Sequence, residues 1–151
     1  MSNIPPPSGD PSQAEKYITQ LINLIDQDKL IVNHTDLTKF DPGNLEDHYR
    51  VDLDDYQIEV SHSKHPNSGK DSYIILFNNL KKLTEGSCEK VILAYMHLEH
   101  EQFIQFRKAS IEQIERMKRL EEERRLTKAL VPIENILNDL SQTHQSPPVV
   151  S

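Results

Sequence analysis

The sequence lacks several residue types on which whole classes of protein depend. It contains no tryptophan, one cysteine and four glycines in 151 residues. A disulfide scaffold needs paired cysteines and a structural zinc ribbon needs several, so the single cysteine excludes both. Hydrophobic residues make up only 36% of the chain, and no apolar run approaches the ~20 residues that cross a bilayer. We therefore expect a soluble protein that does not span a membrane.

An excess of positive charge is also missing. The chain has 17 lysines and arginines against 24 acidic residues, which gives a net charge of −7. Because nucleic-acid binding depends on a basic surface, we expect no nucleic-acid partner. The first residues carry no basic region followed by an apolar core, so we expect no secretory signal. These features predict a location in the cytoplasm, the nucleus or both.

The first helix has a clear start. Asp10 is a capping residue, Pro11 suits the first helical position, and Gln13 completes the spacing of a capping box. Apolar residues then recur in steps of three and four, which predicts one helix over residues 11–28. Residues 1–9, with three consecutive prolines, have the composition of a disordered tail.

The middle of the chain predicts a β-hairpin. Residues 56–61 alternate between apolar and polar, residues 65–69 supply turn chemistry, and residues 73–77 are apolar throughout. The second strand must then be covered on both faces or lie inside a sheet. We interpret residues 29–55 as an ordered loop with a short helix near 45–49, and residues 30–32 as a candidate third strand.

The C-terminal half predicts one long helix. Proline is absent between residues 88 and 131, and the apolar spacing of the first part suits packing on the hairpin. Further along, a thin apolar seam is surrounded by glutamates and arginines at i,i+4 spacing, which is typical of a short coiled coil. Pro132 is expected to break this helix, and a short amphipathic helix should follow.

Together these elements predict an α+β fold, with an N-terminal helix and a small antiparallel hairpin or sheet packed on the long C-terminal helix. The predicted organisation, in chain order, is a tail over 1–9, an α+β domain over 10–109, a charged helical arm over 110–131, a short amphipathic helix over 132–141 and a tail over 142–151.

The function we favour from the sequence is that of a non-catalytic adaptor or subunit of a larger intracellular complex. The seam on the long helix extends beyond any core that the chain builds for itself, which is typical of a partner-binding surface. Both a homodimer and a hetero-complex fit this surface. We assign no catalytic residue, cofactor or metal ligand. The predicted partner contacts are Ile111, Ile114, Met117, Leu120, Leu126 and Leu130.

A small metal-dependent or cysteine-dependent enzyme is the first alternative. His97 and His100 are spaced one helical turn apart, and such a pair can chelate a divalent metal. Either His62 or His65, which flank the predicted hairpin turn, would complete a tetrahedral site if the hairpin packs there. Cys88 follows a glycine and a serine at a predicted helix N-terminus, where backbone amides lower the pKa of a thiol.

A regulatory module that binds ubiquitin or a short peptide is the second alternative. Residues 121–130 contain an acidic run, then Leu126 and then Ala129, and resemble part of a ubiquitin-interacting motif. That motif is a single helix with a later serine. Here the corresponding position is Ile133, and Pro132 precedes it. The resemblance implies ubiquitin binding through the long helix.

Overall fold

A computed structural model of the chain describes residues 8–83 and 86–145. An N-terminal helix is followed by a five-stranded antiparallel sheet and a long C-terminal helix, which is the α+β fold expected from the sequence. The helices and strands, in chain order, are α1 (Pro11–Asp26), β1 (Val32–His34), β2 (Leu45–Leu53), β3 (Tyr56–Lys64), β4 (Asp71–Lys82), β5 (Cys88–His97) and α2 (His100–Gln145). The predicted tails fall largely on residues 1–7 and 146–151, outside the described residues.

The start of α1 is set by the predicted capping box. The carboxylate of Asp10 accepts a hydrogen bond from the backbone N–H of Gln13 at 2.9 Å, and the Gln13 side chain accepts one from the backbone N–H of Asp10 at 3.1 Å. Just before it, Gly9 donates a backbone hydrogen bond to the carbonyl of Tyr95 at 3.2 Å. Ser8 and Gly9 are thereby held against the edge strand β5.

The sheet is a simple meander in which each strand pairs with the next. The β3–β4 pair is the predicted hairpin, with Val60 opposite Ile75. Strand β4 also pairs with β5, where Ile75 lies opposite Met96. The expectation that the strand containing residues 73–77 is an inner strand is therefore confirmed.

Two sequence-based assignments are wrong at the edges of this sheet. Residues 45–49 begin strand β2 rather than a short helix, and Val51 of this strand pairs with Val32 of β1. Residues 88–97 form strand β5 rather than the start of the long helix. Phe77 pairs with Ala94 and the next residue of β4 pairs with Ile92, so Leu93 is an extra, bulged residue.

Both helices lie on one face of the sheet. Along β2 and β3 the buried hydrophobic residues are Tyr49, Val51, Ile58 and Val60, whose alternation defines that face. Ile18 of α1 and Phe106 of α2 belong to the same core cluster. The apolar contacts of the domain are thus made on one side, while the opposite side of the sheet carries a polar network described below.

Gln113 connects three separate segments in this core. Its side chain is almost fully buried and lies on α2. The side-chain oxygen accepts a hydrogen bond from the backbone N–H of Val32 at 2.9 Å, and the side-chain nitrogen donates to the carbonyls of Ile25 at 3.1 Å and Leu30 at 2.6 Å. One amide therefore satisfies backbone groups at the end of α1, in the following loop and at the start of β1.

Helix α2 continues through Pro132 to Gln145, so the predicted helix break at this proline is wrong. The chain divides into two compact units, residues 1–114 and 115–151, and the boundary falls within α2. The predicted boundary of the α+β domain was residue 109. We describe the two units separately below.

Candidate interaction surface

The second unit exposes a run of large aliphatic side chains. Between 37% and 60% of each residue remains accessible. A folded domain normally buries such residues, and a contiguous exposed set marks an interaction site. The set consists of Leu126, Leu130, Ile133, Leu137 and Leu140, and we call it the C-terminal stripe.

The C-terminal stripe follows a heptad repeat. Its members are separated by four, three, four and three residues, which assigns them to alternating d and a positions of a heptad written abcdefg. Ala129 and Ile136 occupy g positions beside them and widen the apolar face. Such a face is the contact surface of a helix that packs against another helix.

Pro132 interrupts the backbone hydrogen bonding of this segment without occupying the stripe. It lies at a c position, on the side of the helix away from the a and d residues. Because proline has no N–H, the carbonyl of Lys128 loses its usual partner four residues later. Leu130 and Ile133 flank the proline in sequence, and the helical register between them is kept.

The six partner contacts expected from the sequence do not form one seam. Ile111 and Ile114 are half-buried, and Ile114 packs against the core cluster of the first unit. Leu126 and Leu130 belong to the C-terminal stripe. Met117 is half-buried and Leu120 is exposed, and both lie outside the a and d positions of the heptad.

Three members of the stripe, Ile133, Leu137 and Leu140, were assigned from the sequence to a separate short helix. Their 3–4 spacing was already visible in the sequence. Because a helix break was expected at Pro132, these three residues were not assigned to the same helix face as Leu126 and Leu130.

Charged side chains precede the stripe on the same helix. Glu121 lies 3.5 Å from Arg124 and 3.6 Å from Arg125, and all three residues are exposed. Exposed pairs of this kind contribute little to stability. Their effect is to keep this part of the helix hydrated, in contrast to the apolar stripe that follows.

In the first unit, the sheet face opposite the helices carries a connected polar network. Each ring nitrogen of His48 forms one hydrogen bond. Nδ1 lies 2.6 Å from the Thr35 hydroxyl, and Nε2 lies 2.9 Å from the Glu59 carboxylate. Glu59 also accepts hydrogen bonds from Asn78 at 2.6 Å and from Lys90 at 3.3 Å. The hydrogen bond from His48, assisted by those from Asn78 and Lys90, lowers the pKa of Glu59 to about 2, against the opposing effect of burial.

The ionised Glu59 sets the direction of hydrogen bonding along this network. It accepts a hydrogen bond from the Nε2–H group of His48, so in the neutral ring Nδ1 accepts one from the Thr35 hydroxyl. A hydroxyl, an imidazole and a carboxylate in this order also occur in hydrolases. Here, however, the cleft that contains Thr35 is lined by carboxylates, Asp36 and Asp47 among them, which disfavour the negative charge of an acyl-transfer transition state. We interpret the network as structural.

The histidines of the metal hypothesis are distributed around aromatic rings. The ring of His62 stacks on Tyr73 at 4.6 Å, and Nδ1 of His100 lies 2.7 Å from the Tyr73 hydroxyl. His65 accepts hydrogen bonds from backbone N–H groups of its own turn, and His97 contacts the ring of Tyr95. Within residues 8–83 and 86–145, no three His, Cys, Asp or Glu side chains are grouped to hold a metal ion.

Cys88 is the first residue of strand β5 and is exposed. The sequence-based argument for a reactive thiol placed it at a helix N-terminus, and that placement is wrong. The backbone amides around Cys88 belong instead to a strand.

The segment that resembles a ubiquitin-interacting motif lies entirely within α2. Leu126 and Ala129 are on adjacent turns, and the helix continues beyond Pro132, as a single-helix motif requires. Position 133 remains an isoleucine rather than the serine of that motif.

Neither helix in the described part of the chain has an apolar stretch long enough to cross a membrane. Comparisons of the chain with protein-family models, with curated proteins and with solved structures give no match.

Proposed function

We propose that the chain is a non-catalytic adaptor or subunit of a larger protein complex in the cytoplasm or nucleus, which binds its partner through the C-terminal stripe. The observation that carries the proposal is the exposure of five aliphatic residues in heptad register on one helix. Burying one such side chain on a partner contributes about 1.5–3 kcal/mol. The stripe therefore has enough apolar surface to support specific binding to another helix.

The properties of the first unit support the same function. Its buried apolar residues form one core cluster between the helices and one sheet face, and His48 and His62 contact a carboxylate and an aromatic ring. In this proposal the first unit is a folded body, and the second unit supplies the partner contacts.

The test compares two variants of the full chain with equal charge changes. Leu130→Glu with Leu137→Glu places two carboxylates on the stripe, whereas Asn135→Glu with Asn138→Glu places two on other sides of the same helix. Each protein is used for affinity capture from the native source at mild salt, with light scattering of the eluate. We expect a stoichiometric partner with the wild type and the asparagine variant, and its loss with the leucine variant.

Two outcomes contradict the proposal. One is a partner that the leucine variant retains at wild-type stoichiometry, because the stripe would then not be the interface. The other is a wild-type protein that elutes alone with monomer mass. Denaturant unfolding of the first unit serves as the folding control and should be the same for all three proteins.

Ubiquitin binding is a second candidate, favoured by the uninterrupted helix around Ala129. Titration of labelled ubiquitin with the full chain tests it. Ala129→Gly should weaken binding more than Lys128→Gly, which loosens the helix to a similar extent without changing the motif alanine. Equal effects of the two substitutions, or the absence of binding, would exclude this candidate.

A further inference from the structure

The heptad register of the C-terminal stripe extends to charged residues on its N-terminal side. Counting back from Leu126, the next a and d positions are Glu123, Arg119 and Arg116. These three border a shallow groove of about 240 Å³ together with Leu120. Residues spaced as i, i+3, i+4 and i+7 form the hole that receives one side chain of a facing helix in a coiled coil. The groove therefore has the position of a coiled-coil hole, with charged walls.

A second copy of this chain fits the stripe poorly in parallel register. Arg119 would face Arg119 of the copy, and Glu123 would face Glu123. Like charges would therefore meet at the a and d positions, between the two helices. The flanking g-to-e pairs of the stripe offer no compensation, since Ala129 would face Glu134 and Ile136 would face Ser141.

No antiparallel register of two copies satisfies both the stripe and the charged positions. The register that centres Leu130 on Ile133 places Glu123 against Leu140, where the carboxylate would have no partner charge. A shift of one heptad towards the C-terminus leaves Arg119 and Glu123 outside the overlap of the two helices, and a shift in the other direction places them against Leu137 and Ile133. The register that pairs Arg119 with Glu123 of the copy places Leu130 opposite Glu112, so the stripe is then not covered by apolar residues. A different chain with complementary charges satisfies both the stripe and the charged groove.

We propose that the partner is a different polypeptide, whose helix presents acidic residues to Arg116 and Arg119, a basic residue to Glu123 and aliphatic residues to the C-terminal stripe. This inference rests on the proposed function and adds the chemistry of the partner. The aliphatic part provides most of the binding free energy, and the charged part selects the partner and fixes its register.

Two synthetic helical peptides test the charge order. Both carry leucine or isoleucine opposite the stripe. The complementary peptide has Glu, Glu and Lys opposite Arg116, Arg119 and Glu123, and the reversed peptide has Lys, Lys and Glu. Each is made in both chain directions, and binding of the labelled peptide to the full chain is followed by fluorescence anisotropy. In one direction we expect the complementary peptide to bind roughly tenfold more tightly, and this preference should shrink in 1 M salt.

A charge-swapped chain provides the matched control. Arg119→Glu with Glu123→Arg leaves the net charge unchanged and should weaken or reverse the preference between the peptides. Equal affinities for both peptides, or a preference that the swap does not alter, would overturn the inference.

Self-association of the chain through the stripe would also contradict the proposal of a different polypeptide as the partner. If the free chain sediments as an oligomer at micromolar concentration, and Leu130→Glu with Leu137→Glu dissociates it, a second copy covers the stripe. That result would overturn the inference while leaving the stripe as an interface. Failure of the proposed function itself would appear instead as native-source capture that does not depend on the stripe.

Discussion

The two units of this chain treat their apolar residues in opposite ways. In the first unit, residues such as Tyr49, Ile75 and Phe106 are almost completely buried. In the second, aliphatic residues of the same size remain largely exposed, including Leu126 and Leu137. This difference in burial does not arise because the second unit lacks a regular apolar pattern. The apolar residues of both units recur with the period of the strand or helix that carries them. The second unit has an organised apolar face and exposes it, which is the arrangement expected of a binding surface.

Substitution of one large apolar residue in each unit should separate the two most clearly. Phe106→Ala removes a fully buried ring and should lower the free energy of unfolding by about 3–5 kcal/mol. Leu137→Ala truncates an exposed side chain and should change it by less than about 0.5 kcal/mol. Urea unfolding monitored by circular dichroism measures both. A loss of more than about 2 kcal/mol for Leu137→Ala would mean that this leucine is buried in the free protein.

The next largest effect should follow from Gln113→Ala. The substitution leaves the buried backbone N–H of Val32 without its acceptor and removes the donor to the part-buried carbonyl of Leu30, whereas the carbonyl of Ile25 keeps its hydrogen bond from the backbone N–H of Asp28. Unpaired buried groups of this kind cost about 1–3 kcal/mol each before relaxation, so we expect a loss of about 2–4 kcal/mol. Gln105→Ala, at an exposed position on the same helix, is the control and should be nearly neutral. A loss below about 1 kcal/mol for Gln113→Ala would refute its role in joining α1 to the sheet.

Acid should selectively remove the contribution of Glu59. Because the hydrogen bond from His48 lowers the pKa of this carboxyl from 4.5 to about 2 in the folded state, its stabilising contribution is complete above about pH 4.5 and disappears as the pH falls towards 2. Wild type should exceed Glu59→Gln in stability by on the order of 2 kcal/mol at pH 6. Unfolding measured between pH 6 and pH 2 should show this difference shrinking, whereas a difference that stays constant with pH would contradict the proposed network.

Pro132→Ala should have the smallest effect on the first unit and still change the second. The substitution restores the N–H that bonds the carbonyl of Lys128 and removes a ring that opposes helix formation by about 3 kcal/mol relative to alanine. Because α2 is already continuous through Pro132, the far-ultraviolet helical signal should change little, whereas backbone amides near residue 132 should exchange more slowly and urea unfolding of the first unit should stay within about 0.5 kcal/mol. A large rise in the helical signal would show that the proline interrupts the helix and would contradict the continuous C-terminal stripe.

The sequence correctly predicts those helices and strands whose capping residues, turn residues and apolar spacing all favour the structure that they adopt in the folded domain. The capping box of Asp10 and Gln13 located the start of α1, and the turn chemistry after His65 located the β3–β4 hairpin. Strand β2 was missed even though Tyr49 and Val51 alternate with polar residues, because the surrounding aspartates suggested a loop. The apparent helix at residues 88–97 has a specific cause, since the bulge at Leu93 replaces strict alternation with a spacing that mimics a helix.

The candidate surface was predicted only in part, for a related reason. Leu126 and Leu130 were among the partner contacts expected from the sequence, but the low helix propensity of Pro132 argued against the continuous helix that completes the stripe. The polar network of His48 and Glu59 had no sequence signal, because its members come from separate strands and meet only through the strand register. Local sequence patterns thus predicted which residues share a face of one helix or strand. Contacts between residues on different strands could be seen only in the structure.

Hydrogen exchange of the dilute free chain tests the central contrast most directly. The backbone amides around Val51 and Ile75, in the core of the sheet, should exchange only on global unfolding. Amides over residues 126–140 should exchange at least roughly 100-fold faster, because side chains that make few contacts leave the helix free to open locally. Addition of the partner should protect residues 126–140 and leave the core unchanged. Protection of residues 126–140 equal to that of the core in the dilute free chain would contradict the account, because the stripe would then already be covered.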